Sequence, residues 1–132
     1  MASIPGILTA FETILRANWD EVTYPIAWDN LKFNMPAGAW IRPVNLPGVT
    51  ENQGLTNIAV RHHGIYWVQV FVPLNSATAL GYTLAKQISD LLSNKTFDEV
   101  VCYTSDIKRV GDDGKGWFQI DVRTTYFSSE RA

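Results

Sequence analysis

The chain has 132 residues, 46% hydrophobic and 18% charged, with a net charge of −2. That length points to one domain over residues 1–132, long enough to bury a core without covalent staples. The balance of charge argues against a primary role in nucleic-acid binding, and no apolar run is long enough to span a bilayer. Cys102 is the only cysteine, which excludes an internal disulfide and fits a reducing compartment. The charged share is below the roughly 25% usual for soluble domains. Five tryptophans stand beside it, and tryptophan is enriched in interface cores, so part of the surface is expected to be buried between subunits.

In chain order, Ile4, Ile7, Leu8, Phe11, Ile14 and Leu15 recur at spacings of three and four, which predicts a helix from residue 4 to about 18 docked on a sheet. Ser3 can cap it, and Pro5 is tolerated in the first turn. The N-terminus has no basic region and Glu12 interrupts its apolar character, so it does not read as a signal peptide. From Trp19 to Pro47 the helical period is lost, and Pro25, Pro36, Pro43 and Pro47 divide the segment. Residues 39–46 read as a strand that Pro43 confines to an edge or a bulge. Residues 47–56 are rich in turn formers and read as a polar loop.

Residues 57–63 form a further strand, and Gly64 leads into a long one ended by Pro73. A hairpin centred on His62–Gly64 is favoured over a bulged continuous strand. Tyr66, Val68, Val70 and Val72 point to one side of the long strand; Ile65, Trp67 and Phe71 point to the other, interrupted only by Gln69. A strand apolar on both sides must be covered on both sides. The chain's own helices can supply one cover; a neighbouring subunit is expected to supply the second.

Asn75 or Ser76 can cap a second helix with the stripe Ala77, Leu80, Leu84, Ile88, Leu91 and Leu92, interrupted by Gly81 and closed by Asn94. A short strand follows around Val100–Tyr103, then a turn over Gly111–Gly116. The last strand, Trp117–Phe127, alternates: Phe118, Ile120, Val122 and Tyr126 inward, Gln119, Asp121, Arg123 and Thr125 outward. The expected class is α+β, a mainly antiparallel sheet with two helices packed on one face.

Catalytic and metal patterns are not legible. His62 and His63 are adjacent in a strand and point to opposite faces, which ill suits one metal ion. The Gly111–Gly116 segment lacks phosphate-loop and calcium-loop spacing. Cys102 reads as a small buried hydrophobe, and the Asn94-Lys95-Thr96 sequon as chance. The charges Lys108, Arg109, Asp112, Asp113, Lys115, Asp121 and Arg123 fit either a solvated face or complementary contacts between neighbouring subunits.

The order of motifs resembles a known family across nearly the whole chain. After the first helix come Ala27-Trp28-Asp29-Asn30-Leu31-Lys32-Phe33-Asn34-Met35-Pro36 and Ala39-Trp40-Ile41-Arg42. Arg61, Gly64 and Val68-Gln69-Val70-Phe71-Val72-Pro73 follow, then a helix with Ala85 and Ile88, and finally Gly116-Trp117-Phe118-Gln119-Ile120-Asp121-Val122. This order is similar to the tail terminator proteins of long-tailed bacteriophages. The resemblance implies a structural virion protein without catalysis or cofactor. It implies a six-fold ring at the head-proximal end of the tail, assembled in the host cytoplasm. Such a ring caps the tail tube, ends its polymerisation and offers a surface to the head–tail connector protein, with DNA passing through. Its partners are then its own copies, the tube protein and the connector, with no membrane and no specific nucleic-acid binding. Trp67 and Gln69 join the seven charges above as candidate contacts to a neighbour or to the tube, and the 47–56 and 111–116 segments as docking loops. His62-His63 departs from the resemblance and takes no role from it.

Two other classes of function compete. Another phage neck or connector subunit shares the same physics with a different docking partner. A dimeric α+β barrel, acting as a cofactor-free oxygenase or small-ligand binder, would also cover the second sheet face. Trp67, Gln69 and one of His62 or His63 would then line its pocket.

Overall fold

The structure, a computed structural model, describes residues 3–53, 59–74 and 78–131. Helix α1 spans Ile4–Asn18 and α2 spans Thr78–Leu92. The strands are β1 (Trp40–Gln53), β2 (Ala59–Pro73), β3 (Thr96–Phe97), β4 (Val100–Cys102), β5 (Asp106–Asp112) and β6 (Trp117–Arg131). β1, β2 and β6 lie side by side, antiparallel. The far edge of β6 takes β5 along its first half and β4 near its end, with β3 beyond β4. Both helices pack on one face, so the fold is the expected α+β arrangement.

The core lies between that face and the helices. Ile7, Ala10, Phe11 and Leu15 of α1 are buried with Leu84, Ala85, Ile88 and Leu92 of α2 against Tyr66, Val68, Val70, Val72, Ile120, Val122 and Tyr126. Phe11 is central: its ring stacks on Tyr66 at 4.0 Å and meets Phe97 and Tyr126 edge-on, each at 5.2 Å. Ile4 and Leu8, assigned to the buried stripe from their spacing, flank it and are exposed. Ser3 caps α1 as expected, its Oγ accepting the Gly6 N–H at 3.2 Å. Asn94 closes α2 with a left-handed φ of 57°. The expected cap at Asn75 or Ser76, and Ala77, lie outside the described residues.

Gly81 is buried where α2 crosses β6. A Cβ there would fall 2.7 Å from the Ile120 Cδ1, the far end of a flexible side chain. A Gly81→Ala chain should therefore match the parent in urea unfolding to within about 1 kcal/mol, the gain in helix propensity offsetting a small shift of Ile120. A loss above about 3 kcal/mol would mean that Ile120 cannot yield.

Several expectations are corrected. Residues 59–73 are one continuous strand rather than a hairpin at His62–Gly64. Gly64 is extended and pairs with Pro47 on one side and Tyr126 on the other. Its missing side chain makes room, since a Cβ would lie 2.5 Å from the Tyr126 hydroxyl and 2.8 Å from the Leu46 carbonyl oxygen. The polar stretch from residue 47 is strand to Gln53, with an irregularity between Pro47 and Thr50, because pairing with Ala59–Gly64 overrides its turn-forming composition. Residues 54–56 of that expected loop lie outside the described set. β5 had no strand signal of its own, its residues being mostly exposed; it forms by pairing with β6. Gly111 and Asp112 belong to β5, so the turn is shortened to residues 113–116. Asp121, assigned outward, is only 3% exposed.

The prolines of β1 are placed as an edge strand requires. Ile41 directs its N–H to the Pro25 carbonyl at 3.0 Å and its C=O to the Ala27 N–H at 2.8 Å, both away from β2. By alternation Pro43 and Pro47 also face the open edge. Neither removes a ladder hydrogen bond, and both discourage pairing with a stray strand.

Cys102 is 4% exposed, and burial pushes its thiol from 9.0 up to about 12. Burial also raises the phenols of Tyr66 and Tyr126. These acids are held neutral by folding while the unfolded chain ionises. Their contribution is fully present below about pH 9 and is lost as pH climbs toward 12, at up to about 1.4 kcal/mol per unit for each group. Urea midpoints measured from pH 8 to 11 should fall; a flat profile would contradict this.

Candidate interaction face

Among the described residues, no helix covers the opposite side of the sheet. Strand alternation brings three rows of side chains there. Arg42 of β1 pairs with Gln69 of β2, which pairs with Asp121 of β6, which pairs with Lys108 of β5. Beside that row run Val44, Trp67, Arg123 and Asp106. On its other side run Trp40, Phe71 and Gln119.

Arginines lie over aromatic rings along this face. The Arg42 guanidinium is 5.2 Å from the Trp40 ring and 5.5 Å from Phe71; Arg123 is 5.4 Å from Trp67, and Arg61 is 4.3 Å from Phe127. Among the described residues neither Arg42 nor Arg123 has an ion-pair partner. Stacked guanidinium groups keep their N–H edges available for carboxylates. Trp67 is half-buried, yet its indole N–H meets no acceptor among the described residues. Asp121 accepts one hydrogen bond, from the Gln119 Nε2 at 2.8 Å, and no cation pairs with it there. A buried carboxylate served by one neutral donor is costly in an isolated chain.

One end of the face has a local cover. Ala27, Trp40, Phe71 and Trp117 form a small second cluster with Phe33 packed against it; Trp40 stacks on Phe71 at 4.2 Å and meets Trp117 edge-on at 5.8 Å. The cover is incomplete. It leaves a cleft of about 290 Å³ lined by the rings of Trp40, Phe71 and Trp117 and by polar side chains that include Arg42, Gln69, Asp113 and Lys115. The adjoining turn is ordered by its own acids: the Asp112 Oδ1 accepts the Gly114 N–H at 2.8 Å, and the Asp113 Oδ1 accepts those of Lys115 at 2.7 Å and Trp117 at 3.2 Å.

Of the nine residues expected at an interface, Trp67, Gln69, Lys108, Asp121 and Arg123 share this face. Asp113 and Lys115 line its cleft. Asp112 serves the turn, and Arg109 lies on the helix side, opposite Ile120 and 5.2 Å from the Phe118 ring. Arg42 and the aromatic set around Trp40 were not among them. Their signal was the alternation Trp40, Arg42, Val44, legible once β1 is set against β2. His62 and His63 diverge as strand geometry requires. The His62 Nδ1 sits 3.0 Å from the Thr50 hydroxyl, and the His63 Nε2 3.6 Å from Glu51.

The family described as phage tail terminator protein matches residues 6–126. No curated protein matches. A solved protein chain that is 18% identical superposes with a TM-score of 0.72, over 98% of this chain and 97% of its own length. At that identity the likeness speaks for the fold.

Proposed function

The chain belongs to the phage tail terminator family, structural components of the virion tail, and from that premise we propose that it closes the tail tube as a ring. The ring, most simply of six copies, caps the tube at its head-proximal end, stops further addition of tube protein and offers its other side to the head–tail connector. The observation that carries the ring is the sheet face without a helical cover. Arginine and aromatic side chains are concentrated there, the types enriched in interface cores. A ring needs two different patches on each subunit that meet head to tail and close by rotation.

Capping is a competition. The ring must hold the tube end more favourably than another layer of tube protein does, without offering that layer's surface again. Each 1.4 kcal/mol of preference makes the cap about tenfold more persistent against elongation. The test is to add the purified chain to tube protein as it polymerises and to measure tube lengths by electron microscopy. Mean length should fall as the chain is added, with extra density at one end only. Unchanged lengths at saturating chain would remove the capping role.

A further inference from the structure

We infer that successive subunits meet with the helical layer of one copy on the open sheet face of the next, so that each chain receives its second cover from its neighbour. The inference rests on the proposed ring and names the two patches that would close it. The open face offers cations without an ion-pair partner among the described residues: Arg42 over Trp40 and Phe71, Arg123 over Trp67, and Lys115 in the lining of the cleft, while its central acid, Asp121, is buried. The helical layer offers exposed apolar side chains along α1 and two acids in the turn that follows, with Arg16 of the last helical turn lying over the Trp28 ring. Ile4, Leu8 and Glu12 form an i, i+4 line along α1, with Ile4 and Leu8 exposed. The turn after the helix then presents Asp20 and Glu21 beside Val22, which is 95% exposed.

Position agrees with charge. The acidic turn leads through Tyr24 to Ile26, which bridges to Ile41, the neighbour of Trp40 and Arg42. Acidic turn and basic cleft thus sit at the same end of the sheet on opposite faces. Stacking copies in one sense brings the turn of one toward the cleft of the next. Carboxylates of Asp20 and Glu21 would meet Arg42, Arg123 and Lys115, and Val22 would meet the aromatic walls. Because the two patches differ, the contact is heterologous and propagates around a ring, whereas a face-to-face dimer would turn the unpaired Arg42 and Arg123 of two copies toward each other.

Two variants test this. Arg42→Glu with Arg123→Glu spoils the open face alone, and Asp20→Lys with Glu21→Lys spoils the helical layer alone. Each should fold, as judged by circular dichroism, and each should run as a 14.8 kDa monomer at concentrations where the parent chain forms rings. Mixed in equal amounts they should form mixed rings, since one junction keeps the parent charges and the other joins the two reversed patches, whose charges are again opposite. If the Arg pair prevents folding, Arg123→Glu with Lys115→Glu serves in its place. Rings that persist in either variant, or a mixture that stays monomeric, would overturn the inference and leave the ring standing. A parent chain that forms no ring would remove both.

Discussion

Replacing Phe11 with alanine should destabilise the folded chain by about 3–5 kcal/mol. Phe11 is fully buried and touches rings from three strands: Tyr66 of β2, Phe97 of β3 and Tyr126 of β6. Truncation removes the transfer term, opens a cavity between helix and sheet, and forfeits the stacked pair with Tyr66, itself worth about 0.5–1.5 kcal/mol. Domains of this size hold about 5–15 kcal/mol in total, so the variant should be partly unfolded well below the parent's melting point. Urea unfolding measures it. Phe11→Leu should recover much of the loss, because volume is largely kept. A cost below about 1 kcal/mol for the alanine would mean that α1 is not docked as described.

Gly64→Ala should cost about 1–3 kcal/mol or more, for the opposite reason. The added Cβ would meet the Tyr126 hydroxyl and the Leu46 carbonyl oxygen well inside contact distance. Neither can retreat cheaply. The hydroxyl donates to the Asn45 Oδ1 at 2.6 Å in a partly buried position, and the carbonyl belongs to the backbone of β1. The contrast with Gly81→Ala is the informative part: one added methyl group meets backbone at residue 64 and a mobile methyl at residue 81. Equal melting temperatures for the two variants would contradict the packing described for Gly64.

Gly64 also marks where sequence reasoning reached its limit. A glycine at the junction of two strand-like runs gave the signature of a turn. The glycine is instead there so that Tyr126 can cross close to β2, a long-range contact with no local trace. Exposed charges likewise concealed β5, which is a strand only because β6 supplies its partner. Segments whose burial follows their own period were legible: both helices, the two-faced β2 strand and the inward set Ile120, Val122 and Tyr126. Asp121 escaped because alternation identifies a face without saying what lies over it. Alternation led to the expectation of exposure, whereas the carboxylate is buried and accepts a hydrogen bond from Gln119. The same gap hid Arg42, whose role depends on β1 lying against β2.

The two-faced strand remains the feature from which the functional account grows. The sheet has helices on one side and, over much of the other, arginine and aromatic side chains with only a partial local cover. The proposed ring assigns that face to a neighbouring copy.

The most direct test is the mass and shape of the assembled chain, by light scattering on a sizing column over a wide range of concentration with electron microscopy of the largest species. Six chains of 14.8 kDa come to about 89 kDa, and a hollow ring near that mass is the expected result. A compact dimer at every concentration, without a central hole, would contradict the account and turn attention to a ligand enclosed between two open faces.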